Sequence, residues 1–523
     1  MQHKQGFLER KPWTWLLYSL MLLAMVANLG LGSTAQAQGP QVTVRVFIIQ
    51  ATWGCSDPLG VPDIFFRVFI DGQGQSTVRD TIESDISPFS VNRAFVQEVD
   101  FSKGTIPIVI QQRDDDPDAT DVCDIAPGDG TDLVLSLDLV TCTISGSVSG
   151  SCATAIVALP HPPFRDDFIE FEITVEEPSR SPGLNVRCLH DPIWPQPGNQ
   201  VTITADALDG NGNAIVFSPI DNIEIWVDNA LRAATATTPG SLGAGQFSFD
   251  YTLPAGATSI LYRCRVFDGG GSVSSGWRRV QIGAPPPTNR AVPIVYTRPR
   301  RAAVDIVFIP NQGDETGQDF TGPGDPNFLA AVRIVIATGY YAERIFLERQ
   351  QALNFWIAQD TGSVNTSDPR ACTFSGPSNW DTDYSFADTG AILQNTLPNG
   401  GCARRNQRLF AASAALPRVL LHETGHSPFG LADEHLGSPS YFEPNPFPNI
   451  YATLLRCQDD AGNLGGRSPA SCVAFMPTIA GGVWYTSEPR VNDLMLDNRT
   501  PQAADIRRIN WFFTQCNLPE PDC

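Results

Sequence analysis

A chain of 523 residues is too long for one hydrophobic core and predicts three or more domains. Its 56 acidic against 35 basic residues leave a net charge of −21, which excludes a nucleic-acid partner, because binding phosphates needs a basic surface. Twelve cysteines fit an oxidising compartment, and 44 glycines and 42 prolines fit turn-rich, strand-built modules.

Residues 1–37 read as an export signal. Lys4, Arg10 and Lys11 precede an apolar run from Trp13 to Leu31, and Ala35-Gln36-Ala37 supplies a small-residue cleavage site. The run is long enough that an uncleaved membrane anchor is the rival reading. No second apolar stretch approaches membrane-spanning length, so the expectation is a protein that is secreted or held in the cell envelope or periplasm, with no other membrane contact.

Residues 41–176 alternate like strands, at Val42–Ile48, Phe65–Phe69, Ile106–Ile110 and Phe168–Ile173, and predict a β-sandwich. An acidic run follows the third of these, with Asp114, Asp116, Asp118, Asp121 and Asp124 offering oxygens at near-alternating positions. Calcium needs such oxygens, and the arrangement resembles a C2-type sandwich with a calcium-binding loop. A solvated acidic turn is the plain alternative. Residues 177–283 predict a second, Ig-like sandwich from Val201–Ala205, Ile223–Val227, Phe247–Tyr251 and Leu261–Val266. The proline-rich stretch 284–289 reads as a stiff linker. Sequence proximity pairs Cys142 with Cys152, Cys372 with Cys402, Cys457 with Cys472 and Cys516 with Cys523. Cys188–Cys264 would span the second sandwich and leave Cys55 for Cys123.

From residue 290 to 523 the pattern turns mixed. Val304–Ile309 predicts a buried strand, and Asn327–Gln351 predicts a helix with Phe328, Val332, Ile336 and Tyr340 at helical period. A final helix is expected, capped by Thr500 with Pro501 in its first turn and with Ile506, Ile509 and Phe513 on its apolar face. Between them lies Leu421-His422-Glu423-Thr424-Gly425-His426, an H-E-x-x-H motif in a chain with six histidines. Two histidines four apart share one helix face and can grip one zinc ion. Glu423 stands where a carboxylate can act as general base toward a metal-activated water. Pro417 suits the first turn of this helix and Gly430 suits its end.

A hydrolytic zinc site takes three protein ligands. His3, His161 and His190 lie in the export segment or the β-modules, which leaves a carboxylate or His435. The metzincin pattern would put glycine at Phe429 and the ligand at Ala432. Shifted by one residue, it uses Gly430 for the turn and Asp433 for the metal, with Glu434 and His435 as rivals or as groups that orient the ligands.

The stretch from His422 to His435 resembles the signature of the M64 (IgA peptidase) family of bacterial metallopeptidases, and the one-residue offset is itself a mark of that family. The resemblance covers roughly residues 290–515. It takes in Val304–Pro310, Phe355–Ile357, Asp388–Ala391, Glu443–Asn445 and Pro489–Met495. His435 departs from the family's usual tyrosine. The resemblance implies an α/β metzincin-like domain whose Met-turn methionine is Met495, with Met476 as the rival. It also implies a zinc endopeptidase acting on protein or peptide substrates. The competing reading is a surface adhesion or binding protein, in which two β-modules display a structural or inactive zinc domain. Against it stands Glu423, which a purely structural site does not need.

Overall fold

In the computed structural model the described residues are 41–52, 64–77, 88–115, 120–127, 130–159, 168–177, 183–210, 212–215, 220–235, 245–268, 271–284, 290–312, 319–364, 373–395, 400–434, 446–463, 471–475, 482–487 and 492–518. Residues 1–37, expected to be an export signal, lie outside them. Among the described residues no helix is long and apolar enough to cross a membrane.

The first unit is a sandwich of β1 (Gln41–Ala51), β2 (Ile64–Ile70), β3 (Gln73–Ser76), β4 (Phe89–Asp100), β5 (Thr105–Asp115), β6 (Thr120–Val122), β7 (Leu133–Asp138), β8 (Thr143–Gly146), β9 (Gly150–Ser151), β10 (Ile156–Ala158) and β11 (Ile169–Glu176). One sheet runs β10-β11-β1-β4 and the other β3-β2-β5-β7-β8-β9, with β6 paired to β5. Alternation drives the packing: Leu133, Leu135 and Leu137 of β7 point inward while Val134 is exposed. The acidic run is not one loop. Asp114 is buried in β5, opposite Asp121 of β6 in the ladder. Asp124 accepts the backbone N–H of Ala126 at 3.1 Å, and Asp116 and Asp118 lie outside the described residues.

The second unit is also a sandwich, of β12 (Leu184–Asp191), β13 (Gln200–Asp209), β14 (Ile220–Val227), β15 (Ala230–Ala234), β16 (Gln246–Thr252), β17 (Ser259–Asp268), β18 (Gly271–Ser274) and β19 (Arg278–Gln281). Its sheets are β12-β13-β16 and β15-β14-β17-β18, with β19 on β17. The Cys188–Cys264 disulfide joins the two sheets through β12 and β17. Cys142–Cys152 and Cys457–Cys472 are also bonded. Cys123, Cys402 and Cys516 are in disulfides too, and the partners expected for them, Cys55, Cys372 and Cys523, lie outside the described residues.

The third unit centres on a sheet of β20 (Ala291–Val295), β21 (Val304–Pro310), β22 (Leu353–Ala358), β25 (Thr389–Gln394), β26 (Gly401–Arg404) and β27 (Leu409–Ser413), in the order β20-β22-β21-β25-β27-β26. The short strands β23 (Ser363–Val364) and β24 (Phe374–Ser375) pair with each other, and β28 (Ile450–Tyr451), β29 (Val473–Phe475) and β30 (Trp484–Thr486) form a small separate sheet. Strands β21, β22, β25 and β27 run parallel and every residue in them is buried, as a sheet covered on both faces requires. Its helices are α1 (Pro326–Ile334), α2 (Arg344–Glu348), α3 (Trp380–Asp383), α4 (Pro417–His426), α5 (Leu454–Asn463), α6 (Leu494–Asp497) and α7 (Ala503–Gln515).

Two expected helices differ from the sequence reading. The segment 327–351 is not continuous: α1 passes into a π turn at Val335–Gly339, and the chain breaks before α2. Consecutive Tyr340 and Tyr341 are both fully buried, which one face of a straight helix does not permit. In α7 the cap is Gln502, not Thr500, and Pro501 precedes the helix; Gln502 pairs reciprocally with Asp505, and Ile506 is exposed while Ile509 and Phe513 are buried.

Residues 285–289 of the expected linker lie outside the described residues, and the third unit is tied to both sandwiches by buried polar groups. Arg298 pairs with Glu176 at 2.7 Å, Tyr296 donates to Glu172 at 2.9 Å, and Arg278 bonds Gln350. Arg263, sandwiched between Trp226 and Trp277, pairs with Glu177 at 2.6 Å and reaches the carbonyl of Val140. Leaving any of these unpaired would cost several kcal/mol, on the order of 3–5 for a buried pair.

Candidate metal centre

Helix α4 begins at Pro417, whose fixed φ and missing N–H suit a first turn, and packs on β26 and β27. Its inward face carries His422, Glu423 and His426, all buried. The helix ends at His426, so Gly430 is not its last residue. It lies instead in the following turn with φ +71°, where its N–H bonds the His426 carbonyl and Leu431 returns to the Gly425 carbonyl. This turn carries Asp433 back over the histidines.

His422, His426 and Asp433 converge, with one donor atom from each lying within 4.8 Å of the others. Oδ1 of Asp433 is 3.1 Å from Nε2 of His422 and 3.4 Å from Nε2 of His426. Each Nδ1 faces a main-chain carbonyl at 2.8 Å, Leu494 for His422 and Leu431 for His426. A carbonyl only accepts, so both Nδ1 atoms carry the proton, and in neutral rings both Nε2 atoms present lone pairs. Two lone pairs and a carboxylate oxygen aimed at one point are compatible with a cation there. Among the described residues this is the one cluster of three such side chains suited to a metal ion.

Of the rivals for the third position, Glu434 is committed elsewhere. Its carboxylate accepts from Asn449 at 3.1 Å and Thr486 at 2.8 Å. His435 lies outside the described residues, as do His3 and His161. His190 is a core residue of the second sandwich: it donates to the Ile193 carbonyl and accepts from Tyr262, and burial depresses its pKa to about 4. Met495 is fully buried against α4, where a Cβ on Gly425 would fall 2.6 Å from its sulfur. Met476 is outside the described residues.

Glu423 is enclosed with them. A Cβ at Gly401 of β26 would sit 2.8 Å from its Oε1, so glycine there makes room for the carboxylate. Burial pushes its pKa up to about 8, His422 pulling against the rise and Asp433 adding to it. Sequence reading missed Asn449, whose amide accepts from Ala432 N–H at 2.9 Å and donates to the Ala432 carbonyl at 2.8 Å, clamping the residue before Asp433. No local pattern marks it, because its partners lie 15 and 17 residues away.

No protein-family model matches the chain, and no curated protein matches it. Among solved structures it is similar to human GIVD cytosolic phospholipase A2 at 14% identity, over 50% of this chain and 32% of that one, with a TM-score of 0.20. It is similar to a C2 domain at 11% identity over 26% and 98% (TM-score 0.18), and to a pair of C2 domains from extended synaptotagmin 2 at 12% over 48% and 82% (TM-score 0.20). The chain thus spans about a third of the phospholipase. Likenesses this low carry no argument about its chemistry.

Proposed function

We propose that the chain is an exported zinc-dependent endopeptidase of M64 type, with His422, His426 and Asp433 as ligands and Glu423 as general base. The observation that carries this reading is the convergence of both Nε2 lone pairs and the Asp433 carboxylate, with Glu423 buried alongside. The donor atoms of the three side chains lie within 4.8 Å of one another, close enough for all three to hold one zinc ion. When bound, zinc supplies Lewis acidity toward the scissile carbonyl and toward water.

The protein's own groups do the rest. The Leu494 and Leu431 carbonyls fix each imidazole's tautomer and direction. The Glu423 carboxylate, which a neighbouring cation keeps charged, accepts the proton of the attacking water and returns it to the leaving amine. The metzincin-like fold of the third unit, the C2-like and Ig-like character of the sandwiches, calcium in the acidic run, and secretion belong to the same proposal. The disulfides support export.

The test is cleavage of denatured casein by the purified protein with and without a zinc chelator, beside Glu423→Gln. The variant should lose about 100-fold or more in turnover while keeping one zinc per chain. Chelator-resistant cleavage, or a variant as fast as its parent, would sink the reading.

A further inference from the structure

A cavity of about 950 Å³ opens where the three units meet, and it is not the metal centre. None of His422, Glu423, His426 or Asp433 lines it, although Ser427 and Pro428, which follow His426, form part of its wall. Five lining residues are arginines, Arg279, Arg300, Arg301, Arg405 and Arg408, against two carboxylates, Glu170 and Asp388. In a chain with 56 acidic and 35 basic residues, that balance is the reverse of the whole.

Glu170 accepts from Gln50 at 2.6 Å, and Asp388 accepts the backbone N–H of Asp305 at 2.7 Å. Arg408 is bonded to the carbonyls of Ser385 and Ala387. Two other guanidiniums are positioned by rings. Arg300 lies 3.6 Å from the Phe386 ring centre and 4.7 Å from that of Trp356, and it is exposed. Arg279 lies 4.6 Å over Tyr296. Among the described residues neither side chain has a hydrogen-bond partner, and Nε of Arg279 is buried without one. Stacking orients a guanidinium plane while leaving its N–H fork available to a planar anion. Asn92, Arg301 and Arg408, all in the wall, hold φ of +48°, +72° and +52°, a conformation that is rare outside glycine and gathers at functional sites.

We propose that this cavity binds an acidic peptide segment, with carboxylates set between apolar side chains. Between the arginines the wall is mixed, with Phe47, Ile49, Tyr296, Trp356 and Phe512 supplying its apolar part, which suits apolar groups interleaved with carboxylates. The volume is at the top of the range of roughly 300–1,000 Å³ for ligand pockets, ample for several residues in place of a single ion. The proposal goes beyond the peptidase reading and does not depend on it, because its readout is binding.

The experiment uses the full chain, with Glu423→Gln in every protein so that cleavage cannot interfere. A short fluorescein-labelled peptide of alternating Glu and Leu is titrated by anisotropy, beside its Gln/Leu counterpart. The acidic peptide should bind and its counterpart should bind at least about tenfold more weakly, the scale of one lost charge-assisted hydrogen bond. Arg300→Gln and Arg279→Gln should each cost a similar factor, Arg300→Gln with unchanged thermal unfolding, whereas Arg344→Gln, exposed and outside the cavity, should cost nothing. No binding by the parent, or equal binding by Arg300→Gln and Arg279→Gln, overturns the proposal. A sulfated oligosaccharide that displaces the peptide and binds more tightly through the same arginines also overturns the peptide assignment.

Discussion

Nδ1 of His422 donates to the main-chain carbonyl of Leu494 across 2.8 Å, so a turn 72 residues downstream sets the direction of the first imidazole. That turn is itself held by Asp493, which caps α6 by accepting the N–H groups of Met495 and Leu496. Asp493→Ala should therefore act twice, costing about 1 kcal/mol of cap energy and loosening the His422 tautomer. Metal affinity measured by competition with a chromophoric chelator should fall about 10-fold or more. Unchanged affinity would show that the Leu494 carbonyl does not orient the ring.

Asp433 and Glu434 are neighbours with separate duties, one facing the histidines and the other facing Asn449 and Thr486. Asp433→Ala should abolish retention of zinc through dialysis against a mild chelator. Asn449→Ala should weaken retention by about 10–100-fold while leaving all three ligands present. Zinc lost from Glu434→Ala but kept by Asp433→Ala would reassign the ligand.

Glu172 makes the junction of the first and third units sensitive to pH. It is wholly buried beside Tyr296, Arg279 and Glu170, and burial raises its pKa from 4.5 to about 7, with Arg279 and the Tyr296 hydroxyl opposing. Because the folded value is the higher one, the stability it contributes is full below pH 4.5 and is lost as pH rises through about 7. Glu172→Gln keeps an acceptor for Tyr296 and removes the titration. It should match the parent near pH 4 and be more stable at pH 8 by up to about 3 kcal/mol. Chemical denaturation at both pH values reads the difference, and parallel curves for the two proteins would refute it.

A chain starting at residue 289 should not fold into a stable unit. It would strip Arg298 of Glu176, Tyr296 of Glu172 and Gln350 of Arg278, leaving buried polar groups without partners. Circular dichroism and size exclusion of the truncated chain should report an unfolded or aggregated product. A monomeric, zinc-retaining fragment would restore the reading of 284–289 as a linker to an independent domain.

Much of this was legible in one dimension, for a local reason. Alternating residues such as Leu133, Leu135 and Leu137 mark strands because the pleat sends neighbours to opposite faces. His422 and His426 share a face because a helix repeats every 3.6 residues. Gly430 marks the turn that returns Asp433 because a positive φ costs glycine least. Even Cys142–Cys152 and Cys457–Cys472 pair across short loops, where proximity in sequence is proximity in space.

The tertiary structure alone decided what depends on distant groups meeting. Asn449 at the Asp433 turn, the Leu494 carbonyl behind His422 and the arginine-lined cavity have no periodic or spacing signal, since each is assembled from segments far apart in the chain. The same holds for the junction of the three units. A proline-rich stretch reads as separation, but whether domains stand apart is set by the partners their surfaces find. Here Arg278 and Arg298 find theirs across the boundary, where a buried charge must be satisfied.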